Sequence, residues 1–215
     1  MAEPRTARRE ADDAEAALLA RLRAGDRAAF AALVGRHAGS LLRVAMSLLR
    51  DRAVAEEVVQ ETWLGLLTGL ETFEGRSSLR TWLFQILVNR ARSRFAREGR
   101  TVPFSALAGP GDDPPAVDPG RFDEQGRWRE PPGHWTEADP ERLAMGAETR
   151  AAIEAAIQEL PEAQRAVITL RDIEGLETEE ICNLLSITVT NQRVLLHRAR
   201  AKVRQALERR LGGAR

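Results

Sequence analysis

The chain has one cysteine, Cys182, no tyrosine and three histidines. A single cysteine cannot form an intramolecular disulfide or supply the thiolate cluster of a structural zinc site. His37, His134 and His197 are widely separated and show no metal-ligand spacing. No phosphate-binding loop or nucleophile motif accompanies them. No cofactor and no metal are expected, and the chain does not read as an enzyme. Cys182 lies on the apolar side of a short helical pattern, where a small core residue is the expected role. Long hydrophobic runs are missing too. None approaches about 18 residues, and MAEPRTARREADDAEAALLA at the N-terminus lacks a signal-peptide core. The expected setting is cytoplasmic and reducing, with no membrane contact made by the chain itself.

Net charge is also absent: 32 basic residues cancel 32 acidic ones. Taken alone, that speaks against a nucleic-acid binder, but the distribution is uneven. Residues 76–100 hold seven arginines and one acid, and residues 193–215 hold seven arginines, Lys202 and one acid. Residues 111–141 hold nine acids against three arginines. Blocks of opposite sign mark either separate partner surfaces or solvated helix faces.

Strand-period segments and internal repeats are missing, whereas helical periodicity is widespread. Residues 12–24 read as a helix ending near Gly25, and 26–49 as one long or kinked helix. In 53–70, Ala55, Val58, Val59, Thr62, Trp63, Leu66, Leu67 and Leu70 follow the spacing of one apolar face. Glu56, Glu57, Gln60 and Glu61 lie opposite. The break ETFEGRSSLR follows, punctuated by Gly75, with Ser77 or Ser78 placed to cap the next helix. That helix, TWLFQILVNRARSRFAR over 81–97, is apolar first and arginine-rich after. Between about 99 and 141 periodicity stops, and eight of the ten prolines fall there. Proline lacks the N–H that a helix or sheet ladder needs, so this is a linker. Helical periodicity resumes near 142. The expected fold class is all-α: two small helical domains, 10–98 and 142–212, joined by a long acidic Pro/Gly-rich linker, 99–141.

The C-terminal part carries the sharper pattern. Pro161 can open a helix, Gly175 ends the apolar turn after it, and Thr178 is placed to cap EEICNLL. A short connection, SIT, leads to a basic helix from about Val189. A helix, a tight turn and a longer basic helix make a helix-turn-helix, whose second helix enters the DNA major groove. Its first residues, Thr190, Asn191 and Arg193, would reach base edges; Asn suits adenine and Arg suits guanine. His197, Arg198, Arg200 and Lys202 would meet phosphates or bases. The plain alternative is two packed helices with a charged outer face.

LPEAQRAVITLRDIEGLETEEIC, followed by the basic helix ending HRARAKVR, resembles region 4 of a sigma factor. RDRAVAEEVVQETWLGLLTGLETFEGRSSLRTWLFQILVNRARSRFAR resembles region 2. Both blocks in this order are similar to the extracytoplasmic-function (group IV) sigma factors of the sigma-70 family of bacterial RNA polymerase. The resemblance implies a factor that binds core RNA polymerase and directs initiation. Region 2 would melt and read the −10 element, and region 4 would read the −35 element. Loop 71–79 would take a flipped −10 base, with Phe73 and Asn89 near it. Arg76, Arg80, Arg90, Arg92 and Arg94 would meet the strand backbone. Aromatics beside arginines suit that task, because base stacking on an aromatic ring is worth roughly 1–3 kcal/mol per base. Trp82 is either a core anchor or a ring at the melted base. Phe84 and Phe95 read as packing.

The resemblance assigns polymerase docking to the helix over 53–70. Glu57, Gln60 and Glu61 would contact the polymerase, and Trp63 is either the apolar anchor or a buried core residue. The start of the recognition helix departs from the family pattern, with Gln192 and Val194 where an apolar and a small polar residue are usual. The family also implies an anti-sigma protein as a partner, and a linker that threads toward the polymerase cleft. There Asp112, Asp113, Asp118, Asp123 and Glu124 would mimic nucleic acid, and Trp128 and Trp135 would dock; the alternative is a plain tether. A stand-alone helix-turn-helix repressor remains the rival function.

Overall fold

The computed structural model describes residues 3–97 and 140–211, and these contain helices and turns but no strand. The helices are α1 (Glu3–Arg23), α2 (Arg27–Leu48), α3 (Arg52–Gly69), α4 (Leu79–Arg97), α5 (Pro140–Gln158), α6 (Glu162–Ile168), α7 (Thr178–Leu185) and α8 (Val189–Leu211). A 3-10 turn, Leu70–Thr72, extends α3, and a π-helical turn, Thr169–Ile173, extends α6. The all-α expectation holds. Residues 99–139 of the expected linker, with its acidic residues, Trp128 and Trp135, lie outside the described residues, as does the Phe95 side chain. Contacts gather the helices into two compact units, one built on α1–α4 and the other on α5–α8.

The turns of the first unit follow from a few residues. Gly25, at φ +74°, lets the Asp26 amide reach Arg21 O (3.1 Å) while its own amide reaches Leu22 O (3.0 Å). That pair of bonds closes α1 and leaves Asp26 to open α2. The Asp26 carboxylate accepts from the amides of Ala28 (2.9 Å) and Ala29 (3.1 Å) and from the Arg21 guanidinium (2.8 Å). The Ala29 amide, and then Arg21, hold its carboxyl below the ordinary aspartate range. A depressed folded pKa gives stability that is present above the unfolded pKa and lost as pH falls through the folded one. Asp26→Ala should therefore melt earlier than the parent at pH 7, and the gap should close as pH falls below about 4. Circular-dichroism melts across that range check this.

Leu33, Leu41, Val44 and Leu48 of α2, Ala55, Val58 and Leu66 of α3, and Leu83, Phe84 and Leu87 of α4 form the core. α3 meets α4 through two glycines one turn apart. A Cβ on Gly65 would lie 2.8 Å from Ile86 Cγ2, and one on Gly69 would lie 3.1 Å from Trp82 Cζ2. The bare backbone of α3 is the seat for Trp82 and Ile86.

In the second unit, Ala156, Ile157 and Leu160 pack on Ile168, Ala199, Val203 and Ala206. Pro161 opens α6, as expected, from the N-cap position. Arg165 is fully buried, and its Nη1 donates to Leu160 O (3.2 Å). That bond satisfies a carbonyl of the turn between α5 and α6. Gly175, at φ +69°, turns the chain after the π-helical turn. The α7 cap falls one residue earlier than expected. Glu177 is the N-cap and Thr178 the first helical residue, because the Glu180 carboxylate reaches back to accept from the Glu177 amide at 2.9 Å. Ser186 ends α7 in the left-handed region (φ 54°, ψ 48°). Thr188 Oγ1 then accepts from the Asn191 amide (3.2 Å) and opens α8. Helix, tight turn and longer basic helix are therefore present as the sequence predicted.

Candidate nucleic-acid and protein-docking surfaces

α3 presents a continuous outward stripe. Glu57, Gln60, Leu64, Leu67 and Glu71 follow helical spacing and are exposed, with Glu61 half-buried among them. Leu64 is 63% and Leu67 51% exposed, the two most open large apolar side chains among the described residues. An apolar centre with an acidic rim has the anatomy of a protein-docking surface. For Trp63, read as either an anchor or a core residue, the structure favours the second role. Its side chain is half-buried, and its ring meets Phe30 of α2 edge-on at 6.0 Å. Periodicity had put Leu67 on the apolar face with Leu66; the structure buries Leu66 and exposes Leu67.

The residues expected at the melted strand do not form one cluster. Phe73 is 8% exposed, and its ring packs on Trp82 at 4.6 Å, so both rings support the loop from beneath. Arg80 sits over the buried Phe84 ring (5.2 Å). Nine residues of α-helix, about two and a half turns, place it on the side opposite Asn89. Arg94 pairs with Glu57 at 2.8 Å, which joins a side chain expected at DNA to one expected at polymerase. Arg90 is exposed but lies on the edge of α4 beside Gly65. Arg76 is fully open on the loop, with Glu74 3.2 Å away. Asn89 is exposed and accepts from Gln85 Nε2 (3.2 Å), and Arg92 follows on the same side one turn later but is half-buried, which lowers its pKa below the ordinary arginine value. Loop 74–78 and the Gln85–Asn89–Arg92 stripe thus present the polar groups best placed to meet a nucleic acid.

On α8, Thr190, Arg193, Val194 and His197 share one exposed stripe, and Asn191 is half-buried beside it. Val194 is an apolar group among polar ones, and such a side chain suits a thymine methyl. Gln192 is 1% exposed and its Nε2 makes no hydrogen bond, so it packs beneath the helix. Arg198 and Lys202 are half-buried further along. Arg200 grips Asp172 of the π-helical turn with both arms, Nε to Oδ2 at 2.8 Å and Nη2 to Oδ1 at 2.6 Å. That carboxylate raises the Arg200 pKa above its ordinary value. Arg200 is therefore a strut in this structure and not an open phosphate contact. Asp172→Ala should lower the melting temperature by a few degrees, since a bidentate surface pair contributes about 1 kcal/mol or less. It should also steepen the salt dependence of duplex binding by about one unit of slope as Arg200 becomes free. An unchanged slope in a salt titration would confine Arg200 to packing.

Cys182 is half-buried, and burial and the Glu179 carboxylate push its thiol pKa up, away from the reactive thiolate. No group of three His, Cys, Asp or Glu side chains among the described residues can hold a metal ion. No described helix is long and apolar enough to cross a membrane.

Comparison with known proteins places these surfaces in context. Residues 33–101 match the family Sigma-70 region 2, and residues 150–203 match Sigma-70, region 4. The chain is 30% identical over 191 residues to the RNA polymerase sigma-H factor of Pseudomonas aeruginosa, covering 89% of this chain and 92% of the relative. It is 31% identical over 186 residues to the ECF RNA polymerase sigma-E factor of Escherichia coli, covering 86% and 90%. Among solved structures it resembles CnrH in complex with the cytosolic domain of CnrY. The TM-score is 0.53 at 26% identity, over 92% of this chain and 99% of that one. A fold likeness at 22% identity and TM-score 0.54 links it to the sigma factor RpoE solved with the anti-sigma factor NepR from Bartonella quintana, over 83% and 96%.

Proposed function

The chain belongs to the extracytoplasmic-function (ECF) sigma factors of the sigma-70 family, and from that premise we propose how its surfaces divide the work of transcription initiation. It binds core RNA polymerase, directs promoter-specific initiation, and is the kind of protein that an anti-sigma factor holds in check. The carrying observation is that the two matched regions fall on the two compact units, 33–101 on α2–α4 and 150–203 on α5–α8.

The unit over 10–98 docks on polymerase and opens the −10 element; the unit over 142–212 reads the −35 element. Docking belongs to the α3 stripe, with Leu64 and Leu67 at its centre and Gln60 and Glu61 at its rim. Support comes from the exposure of the two leucines on a helix that buries Ala55, Val58, Val59, Thr62 and Leu66. The −10 surface comprises loop 74–78 with Arg76, and Asn89 and Arg92 on α4. Thr190, Arg193, Val194 and His197 read the −35 bases. The chain acts in the cytoplasm, where polymerase and promoter are, and catalyses no reaction itself; its relatives are named as sigma factors.

Gel filtration with bacterial core polymerase, followed by run-off transcription, tests this. The template is promoter DNA recovered by genomic selection with the mixture. Co-elution and initiation that depends on the chain are expected. No co-elution, with tight duplex binding by the chain alone, would move the protein to the stand-alone repressor class.

A further inference from the structure

We propose that Arg23 and Glu15, both on α1, are positioning residues that hold the two ends of the 73–79 loop in register for base capture. The proposal rests on the reading that this loop takes a flipped −10 base. Both residues precede residue 33, where the region 2 match begins.

The middle of the loop has little to hold it. Residues 74–78 are all exposed, and Gly75 stands at φ +71° with nothing near its Cβ position. The Glu74–Arg76 pair is open to solvent on both sides, where ion pairs are weak. Order must come from the ends.

At the first end, the Arg23 guanidinium bridges two carbonyls. Nη2 donates to Phe73 O at 2.8 Å and to Leu70 O at 3.2 Å, and Nε adds a bond to Leu70 O at 3.3 Å. These carbonyls flank the end of the 3-10 extension of α3, where Leu70 O has only a long bond from the Phe73 amide (3.4 Å). At the second end, Glu15 Oε1 accepts from the Leu79 amide at 2.9 Å, one of the free donors that open α4. Ser78 Oγ takes the Thr81 amide at 3.1 Å.

A cation therefore closes a helix C-terminus and an anion closes a helix N-terminus, each sign matching the helix dipole it meets. Both come from one rigid helix, eight residues and about 12 Å apart along its axis. α1 thus acts as a ruler across the mouth of the loop. A loop whose ends are fixed meets its base with less ordering still to do, and the same geometry favours one base over another.

The test uses holoenzyme formed with core polymerase, and fork-junction DNAs that differ at one non-template −10 base of a promoter selected by the parent. The variants are Arg23→Gln, Glu15→Ala and Arg23→Lys. Affinity for core and melting temperature report general damage; the ratio of binding to the preferred and the substituted base reports positioning. Arg23→Gln and Glu15→Ala are expected to keep core affinity and lower that ratio about tenfold, the size of one base contact. Arg23→Lys, which can still reach one carbonyl, should recover part of it.

An unchanged ratio in both Arg23→Gln and Glu15→Ala overturns the proposal. So does a loss of ratio that only follows a matching loss of core affinity and melting temperature. Replacing 74–78 with a Gly/Ser segment separates the two levels. If that leaves discrimination intact, the loop reading itself falls and the proposal falls with it. If it abolishes discrimination while Arg23→Gln and Glu15→Ala retain it, only the α1 ruler is refuted.

Discussion

Replacing Leu64 and Leu67 together by aspartate is expected to lower affinity for core RNA polymerase by at least about a hundredfold, with the fold left intact. Burying one leucine side chain is worth roughly 1.5–3 kcal/mol, so losing two from the centre of a contact costs about 3–6 kcal/mol. That corresponds to roughly two to four orders of magnitude in Kd. The carboxylates add desolvation cost inside a face that already carries Glu57 and Glu61. Stability should barely respond, because both leucines stand in water on the free chain. The remaining cost is the poorer helix propensity of aspartate, about half a kcal/mol per site. Trp63→Phe should show the converse: near-normal polymerase affinity, because the ring packs on Phe30 rather than outward. Fluorescence anisotropy with labelled core measures both. A double aspartate variant that binds within threefold of the parent would place the docking face elsewhere.

Gly65→Val should strongly destabilise the first unit. The first carbon added to Gly65 already lies 2.8 Å from Ile86 Cγ2, closer than real contacts come. Ile86 cannot swing away cheaply, because Cγ2 sits on its β-carbon and the residue is held in a helix. Alanine at 65 would gain about 1 kcal/mol of helix propensity over glycine and lose about 1–3 kcal/mol to overpacking. The net effect of Gly65→Ala is thus a modest loss. Valine gives back most of the propensity gain and adds two methyl groups to the clash, for a loss of about 3 kcal/mol or more. In a unit of this size that is a drop of roughly 10–20 °C in its melting transition. Ile86→Ala should recover part of the loss in the Gly65→Ala background. A double-mutant cycle without coupling would mean that α3 and α4 do not meet there.

The local signals in the sequence served well. Gly25, Gly75 and Gly175 mark turns because each stands at positive φ, which glycine alone adopts without strain. Ser78 caps α4 and Pro161 opens α6 because those roles depend on a residue's own atoms and its nearest amides. Where two neighbours compete, the local signal was too coarse. Thr178 is the better cap by type, yet Glu177 takes the position because Glu180 can fold back onto its amide.

Faces were harder to read. Periodicity states which residues share a side of a helix and is silent on which of two adjacent sides meets a neighbour. Trp63 and Leu64 differ by one residue, about 100° of rotation, and only the position of α2 decides that tryptophan packs and leucine stays open. Arginines were harder again. Their number marks basic helices, but a long side chain reaches whichever carboxylate or ring lies near. Arg94 finds Glu57, Arg200 finds Asp172 and Arg80 finds the Phe84 ring. The loop clamp lay furthest from view, because Glu15 and Leu79 are 64 residues apart in the chain. Spacing along the chain was therefore enough for the helices, most of their caps and turns, the two-unit plan and the family. Which side chains face a partner, which are tied down, and how α1 governs the 73–79 loop were decided by tertiary structure, because those depend on distances that only packing creates.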